Sequence, residues 1–121
     1  MARDHRKLNV FVLADELVVD VYRLTQQLPP EERYGLQAQI RRATVSAAVN
    51  IVEGCARRTT RDYLHFMGIA LGSASEARYL LELAVRLEFI AAADHARLEP
   101  RFRELVRGLY KLIEALEARE P

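Results

Sequence analysis

The chain has 121 residues, with 18 Lys and Arg against 17 Asp and Glu for a formal charge of +1 at pH 7. That length fits one domain, spanning 1–121, around one core, and so balanced a charge excludes binding to an anionic polymer or membrane through the whole-molecule field alone. The single cysteine, Cys55, excludes an intrachain disulfide framework and fits a reducing cytoplasm.

Met1 to Lys7 is basic and precedes an apolar run, the outline of a secretory signal, but Asp15 and Glu16 interrupt the run and no small-residue cleavage pattern follows. This opening reads as a frayed N-terminal segment. No apolar stretch is long enough to span a bilayer, so a soluble, cytoplasmic protein is expected. The first helix should run from about Leu8 to Leu28, with Leu13, Leu17, Val21, Leu24 and Leu28 as its inner stripe. Pro29 and Pro30 stop it. Pro30 suits the first turn of a second helix, where Glu31 and Glu32 complement the positive helix end, and this helix should continue to about Arg57.

Thr59 with Asp62 three residues on has the form of a capping box, which places a third helix from about Thr60 to Glu88. Asp94 is the candidate cap of a fourth. There Leu98, Phe102, Leu105, Leu109, Leu112 and Leu116 alternate spacings of four and three, a bundle seam, with Pro100 predicting a loose first turn or a kink. Short connections between long helices predict an all-α, up-down-up-down antiparallel four-helix bundle. The first and third helices are apolar on more than one side, through Phe11, Val12, Val18, Val19 and Tyr22 and through Tyr63, Phe66, Ala70, Leu80 and Leu87. A lone bundle buries one face per helix, so self-association is expected to cover the surplus.

In the second helix, Arg42, Ser46, Asn50 and Glu53 share one face beside the stripe of Leu36, Ile40, Ala43, Ala47 and Ile51. Packing against the third helix about the turn at Thr59 opposes Arg42 to Glu76, Ser46 to Gly72 and Ser73, Asn50 to Gly68 and Glu53 to His65. Gly68 and Gly72 would let the two backbones approach. The expectation is a buried structural polar network of Arg42, Ser46, Asn50, Glu53, Ser73 and Glu76.

The order Pro30-x-Glu32-x-x-Gly35-Leu36, then Gln39-x-Arg41-Arg42-x-x-x-Ser46-x-x-x-Asn50-Ile51-x-Glu53-Gly54, then Gly72-Ser73-x-x-Glu76 resembles the bacterial four-helix-bundle family first noticed as the product of intervening sequences in large-subunit rRNA genes. Relatives of that family include the accessory variability determinant protein of diversity-generating retroelements. The resemblance implies a cytoplasmic homo-oligomer, a ring-like pentamer, associated with nucleic acid. Pro100 and the acidic tail of Glu114, Glu117 and Glu120 depart from it and argue against an extended basic tail.

Candidate sites are few. Arg3, Arg6, Lys7, Arg57, Arg58 and Arg61 should collect at one bundle end, diluted by Asp4 and Asp62, either as phosphate contacts or as a solvated helix end whose arginines cap carbonyls. For metals the chain offers only Asp62-x-x-His65 with Glu53 opposite, short of the two Glu-x-x-His motifs of a di-metal bundle, and His5 and His95 have no matching ligands. Neither metal nor cofactor is expected. Arg58 and His65 have the spacing of the Arg and His of small helical-bundle ribonucleases, with His65 as general acid or base, whereas no Ser-His-Asp set, nucleophilic Cys-His pair or Gly-rich phosphate loop is present. The reading is a non-catalytic oligomeric scaffold whose partners are itself, RNA or DNA, and a nucleic-acid-processing enzyme. A ribonuclease using Arg58 and His65 is the rival.

Overall fold

Residues 3–119 are described by a computed structural model, and every regular element among them is helical. α1 spans Asn9–Leu24, α2 Leu36–Cys55, α3 Thr60–Arg86 and α4 Ala92–Glu117. Single 3₁₀ turns lie at His5–Lys7, Thr25–Gln27 and Pro30–Glu32. Met1 and Glu120, used in the readings of the two chain ends, fall outside the described residues.

α1 ends one turn earlier than its apolar spacing suggests. Leu28, made extended by the following Pro29, donates its N–H to the Thr25 carbonyl to close a tight turn, yet its side chain remains in the core. On the buried side Ala14 takes the place expected for Leu13, which is only partly covered.

α2 begins later than expected because the Pro30 turn is not continuous with it. Gly35, at φ −106° and ψ −111°, leaves the helical region, and the Glu32 carboxylate accepts the Leu36 N–H at 3.0 Å to cap a fresh start. Thr59 Oγ1 accepts the Asp62 N–H at 3.1 Å and starts α3. The other end of α3 is closed by the Phe89 N–H on the Ala84 carbonyl and the Glu88 N–H on the Val85 carbonyl, with Glu88 at φ 65°. That is the Schellman arrangement.

Asp94 lies inside the first turn of α4, not at its cap. Ala91 holds that position without a side-chain bond, while the Asp94 carboxylate accepts from Gln27 Nε2 at 2.8 Å and from Arg97 at 3.2 Å. Those hydrogen bonds, the one from Gln27 foremost, hold its carboxyl below the usual carboxylate range. α4 passes through Pro100 as one continuous helix.

Contact is most extensive between α2 and α3, then α3 and α4, α1 and α2, and α1 and α4, so the four helices surround one core in chain order. Leu17, Val21, Ile40, Ile51, Met67, Leu81, Phe102, Leu105 and Leu109 fill it. Part of the apolar surplus is absorbed here, since Tyr63, Ala70 and Leu80 of α3 are buried along with Met67 and Leu81. On α1, Phe11 and Val18 pack partly buried against the core, while Val12, Val19 and Tyr22 remain 43%, 46% and 43% exposed.

Candidate functional site

Only the middle of the polar row along α2 crosses to α3. Ser46 and Ser73 meet through their hydroxyls at 2.8 Å, and the Asn50 amide donates to the Ser46 carbonyl at 2.8 Å and hydroxyl at 3.1 Å. Arg42 and Glu76 line a groove of about 300 Å³ at the same seam, but both are exposed and no bond among the described residues joins them. The expected buried ion pair is therefore absent. The stripe from Leu36 to Ile51, widened by Thr44 and Ala48, takes the whole inner face and leaves the longer polar side chains at the rim. Glu53 is likewise exposed and pairs along its own helix with Arg57, at 3.0 Å.

Close backbone approach is made at a different glycine. A Cβ at Gly68 or Gly72 would meet nothing within 4 Å, whereas one at Gly54 would come 2.6 Å from Met67 Cε and 3.1 Å from Phe66 Cβ. The glycine spacing in α3 thus marks open surface, and the tight crossing lies under the end of α2.

The basic end does assemble from three elements. The Arg3 N–H donates to the Cys55 carbonyl at 2.7 Å, the Arg3 guanidinium lies 4.0 Å from the Tyr63 ring centre, and Arg57 lies 4.6 Å from that of Phe66. Part of its charge is already engaged. Arg6 pairs with Asp4 at 3.0 Å, Arg57 with Glu53, and Arg3 with an aromatic face. The Arg6 hydrogen bond holds the Asp4 carboxyl below its ordinary value. Lys7, Arg58 and Arg61 are exposed beside them. His65 is also exposed and rests edge-on against Phe66, with ring centres 5.1 Å apart. Cys55 is buried, and burial pushes its thiol pKa up, away from the reactive thiolate.

Several side-chain groups escaped the sequence reading, among them the Arg101 guanidinium of α4 paired with Glu16 and Asp20 of α1. On α3 and α4, Arg78 reaches Glu99 at 2.6 Å, with His95 Nε2 buried, unbonded and 3.9 Å from the same carboxylate. The four-residue step from His95 to Glu99 was the available signal. Between α1 and α2, Arg41 donates from Nε to Thr25 Oγ1 at 2.8 Å and from Nη2 to the Tyr22 carbonyl at 3.0 Å. Nothing in the local spacing announces that contact, because its partners lie 16 and 19 residues away. Among the described residues no cluster of three or more His, Cys, Asp or Glu could hold a metal, and no helix is long and apolar enough to cross a membrane.

The model of the 23S rRNA-intervening sequence protein family matches residues 6–111. The chain belongs to that family. A solved structure of a protein of unknown function, from the S23 ribosomal protein family of Bacteroides thetaiotaomicron VPI-5482, is 27% identical and superimposes with a TM-score of 0.79 over 87% of this chain and 95% of that one. No curated protein matches. In this 23S rRNA-intervening sequence family member the quoted polar row therefore sits at a surface seam, with its serines and Asn50 bonded and its charged members facing out.

Proposed function

We propose that the protein is a non-catalytic, cytoplasmic scaffold in which copies of an up-down-up-down antiparallel bundle associate into a ring, a pentamer by family resemblance, that contacts nucleic acid. Exposed apolar surface carries the reading. Val12 and Val19 on α1, Ile69 and Tyr79 on α3 and Tyr110 on α4 are each more than a third exposed. Gly68 and Gly72 add two open positions on the α3 surface, where an added Cβ would meet nothing within 4 Å. A soluble single bundle has no use for so many uncovered apolar groups on three helices, and a second copy is the simplest cover.

Lys7, Arg58 and Arg61 give the assembly its phosphate contacts, repeated once per subunit so that weak individual contacts add as avidity. The family name, with its 23S rRNA origin, supports RNA as one polyanion to try. A nucleic-acid-processing enzyme is a further partner class. Light scattering at micromolar concentration tests the assembly: a mass of several times 13.8 kDa is expected, and a monomer refutes it. Incubation with labelled RNA tests the rest, with salt-sensitive binding and intact RNA expected. Cleavage that disappears in His65→Ala would establish the ribonuclease instead.

A further inference from the structure

We infer that the groove between the end of α1 and the first half of α2 is a stacking site for single-stranded nucleic acid, with Tyr34 as the platform for a base and Arg33, Arg41 and Arg42 as phosphate contacts. This rests on the nucleic-acid reading above and names where the unpaired strand lies. The groove encloses about 950 Å³, and its wall contains three arginines and no carboxylate. That charge balance separates it from the bundle end, where Asp4 and Glu53 already hold two of the cations. The nearby Glu32 carboxylate is engaged in capping Leu36.

Geometry supplies both halves of a nucleotide's chemistry. Tyr34 is 86% exposed, far more than a tyrosine needs for packing, and the Arg33 guanidinium lies 5.4 Å from its ring centre. The cation thus stands over one face of the ring, where it can meet a phosphate, and a base stacks on the opposite face. Arg41 is held before any ligand arrives: two of its donors bond Thr25 and Tyr22, and its head lies 4.5 Å from the Tyr22 ring centre. The rest of its five-donor fork is left for a phosphate oxygen, and a guanidinium already fixed loses little freedom on binding. Tyr22 and Val49, both partly exposed, give the wall an apolar face for a second base. Duplex nucleic acid, with its bases stacked inside, could use the arginines but not Tyr34.

The test uses the full chain and fluorescein-labelled oligouridylate of about 12 nucleotides, its DNA equivalent, and the same RNA annealed to its complement. Both single strands should bind, because stacking and phosphate contacts are common to them. Tyr34→Ala should weaken single-strand binding about tenfold and leave duplex binding unchanged. Arg33→Gln with Arg42→Gln should lower the salt slope by about 0.7 per lost contact. Arg58→Gln with Arg61→Gln should weaken single strand and duplex alike. If the wild type binds and both groove variants bind single strands as tightly, the groove is overturned while the nucleic-acid reading stands. If the wild type binds neither form at low salt, both fall. A groove variant with altered mass by light scattering would make this surface a contact between copies, which also overturns the inference.

Discussion

Ser46 and Ser73 join α2 to α3 hydroxyl to hydroxyl at 2.8 Å, while Arg42 and Glu76, one turn along each helix, reach no partner and face solvent. The seam is thus held by its short side chains. Replacing Glu76 by Ala should change stability by no more than about 0.5 kcal/mol, since an exposed unpaired charge stabilises little. Ser73→Ala should cost about 1 kcal/mol, because it leaves the half-buried Ser46 hydroxyl with one partner fewer. Urea unfolding at fixed protein concentration measures both. A loss of about 3 kcal/mol for Glu76→Ala would mean that the carboxylate is buried and paired after all.

The glycines should separate in the same way. Ala at Gly54 would drive its Cβ toward Met67, Phe66 and Tyr63, and overpacking of about 1–3 kcal/mol should outweigh the gain in helix propensity of about 1 kcal/mol. At Gly68 or Gly72 the added Cβ meets nothing, so Ala should stabilise the subunit by up to about 1 kcal/mol each. Thermal midpoints of the three variants, each checked for oligomer mass, decide it. Destabilisation at Gly72 with the mass reduced would place that glycine between subunits.

These two pairs show what the residues alone could reveal. Summing residue numbers about the Thr59 turn correctly set Ser46 at the height of Ser73, because both helices rise equally per residue. Height is not direction around the helix. Whether Arg42 and Gly68 look inward depends on how far the apolar stripe wraps, and the small residues Thr44 and Ala48 widened it beyond what periodicity displays. The apolar spacings located all four helices, and Thr59 marked the start of α3. The break at Gly35 was hidden because Pro30, Glu31 and Glu32 carry ordinary helix-start chemistry and only the backbone angles of Gly35 interrupt them. The Arg41 contact depends on tertiary placement and has no local trace.

Glu88 closes α3 in the left-handed region at φ 65°, where a side chain is strained and glycine is not. Glu88→Gly should therefore stabilise the protein by about 0.5–1 kcal/mol despite the greater freedom glycine gives the unfolded chain. Glu88→Val should do the opposite, since a β-branched side chain tolerates that conformation least. A Glu88→Gly midpoint below the wild type would show that the carboxylate holds a contact worth more than the strain.

Cys55 and Tyr63 give the protein a sensitivity to alkali. Burial raises both pKa values above their ordinary 9.0 and 10.0, so the folded chain keeps protons at pH values where the unfolded chain has released them. The sign follows directly. This stabilisation is complete below the unfolded thiol value and is lost as pH rises through the folded one, first for Cys55 and then for Tyr63. Urea midpoints measured from about pH 8 to about pH 11 should fall, and the fall should be shallower in Cys55→Ala, which has lost one of the two groups. The comparison is of slopes, because the smaller side chain also lowers the whole curve by leaving a cavity. Alkylation provides the independent check: a buried thiol held in its protonated form should react in the native protein only through opening of the N-terminal segment and the end of α2, where Arg3 bonds the Cys55 carbonyl. Rapid alkylation at neutral pH, or identical slopes for the two proteins, would show the thiol to be solvent-accessible and the alkaline loss to arise elsewhere.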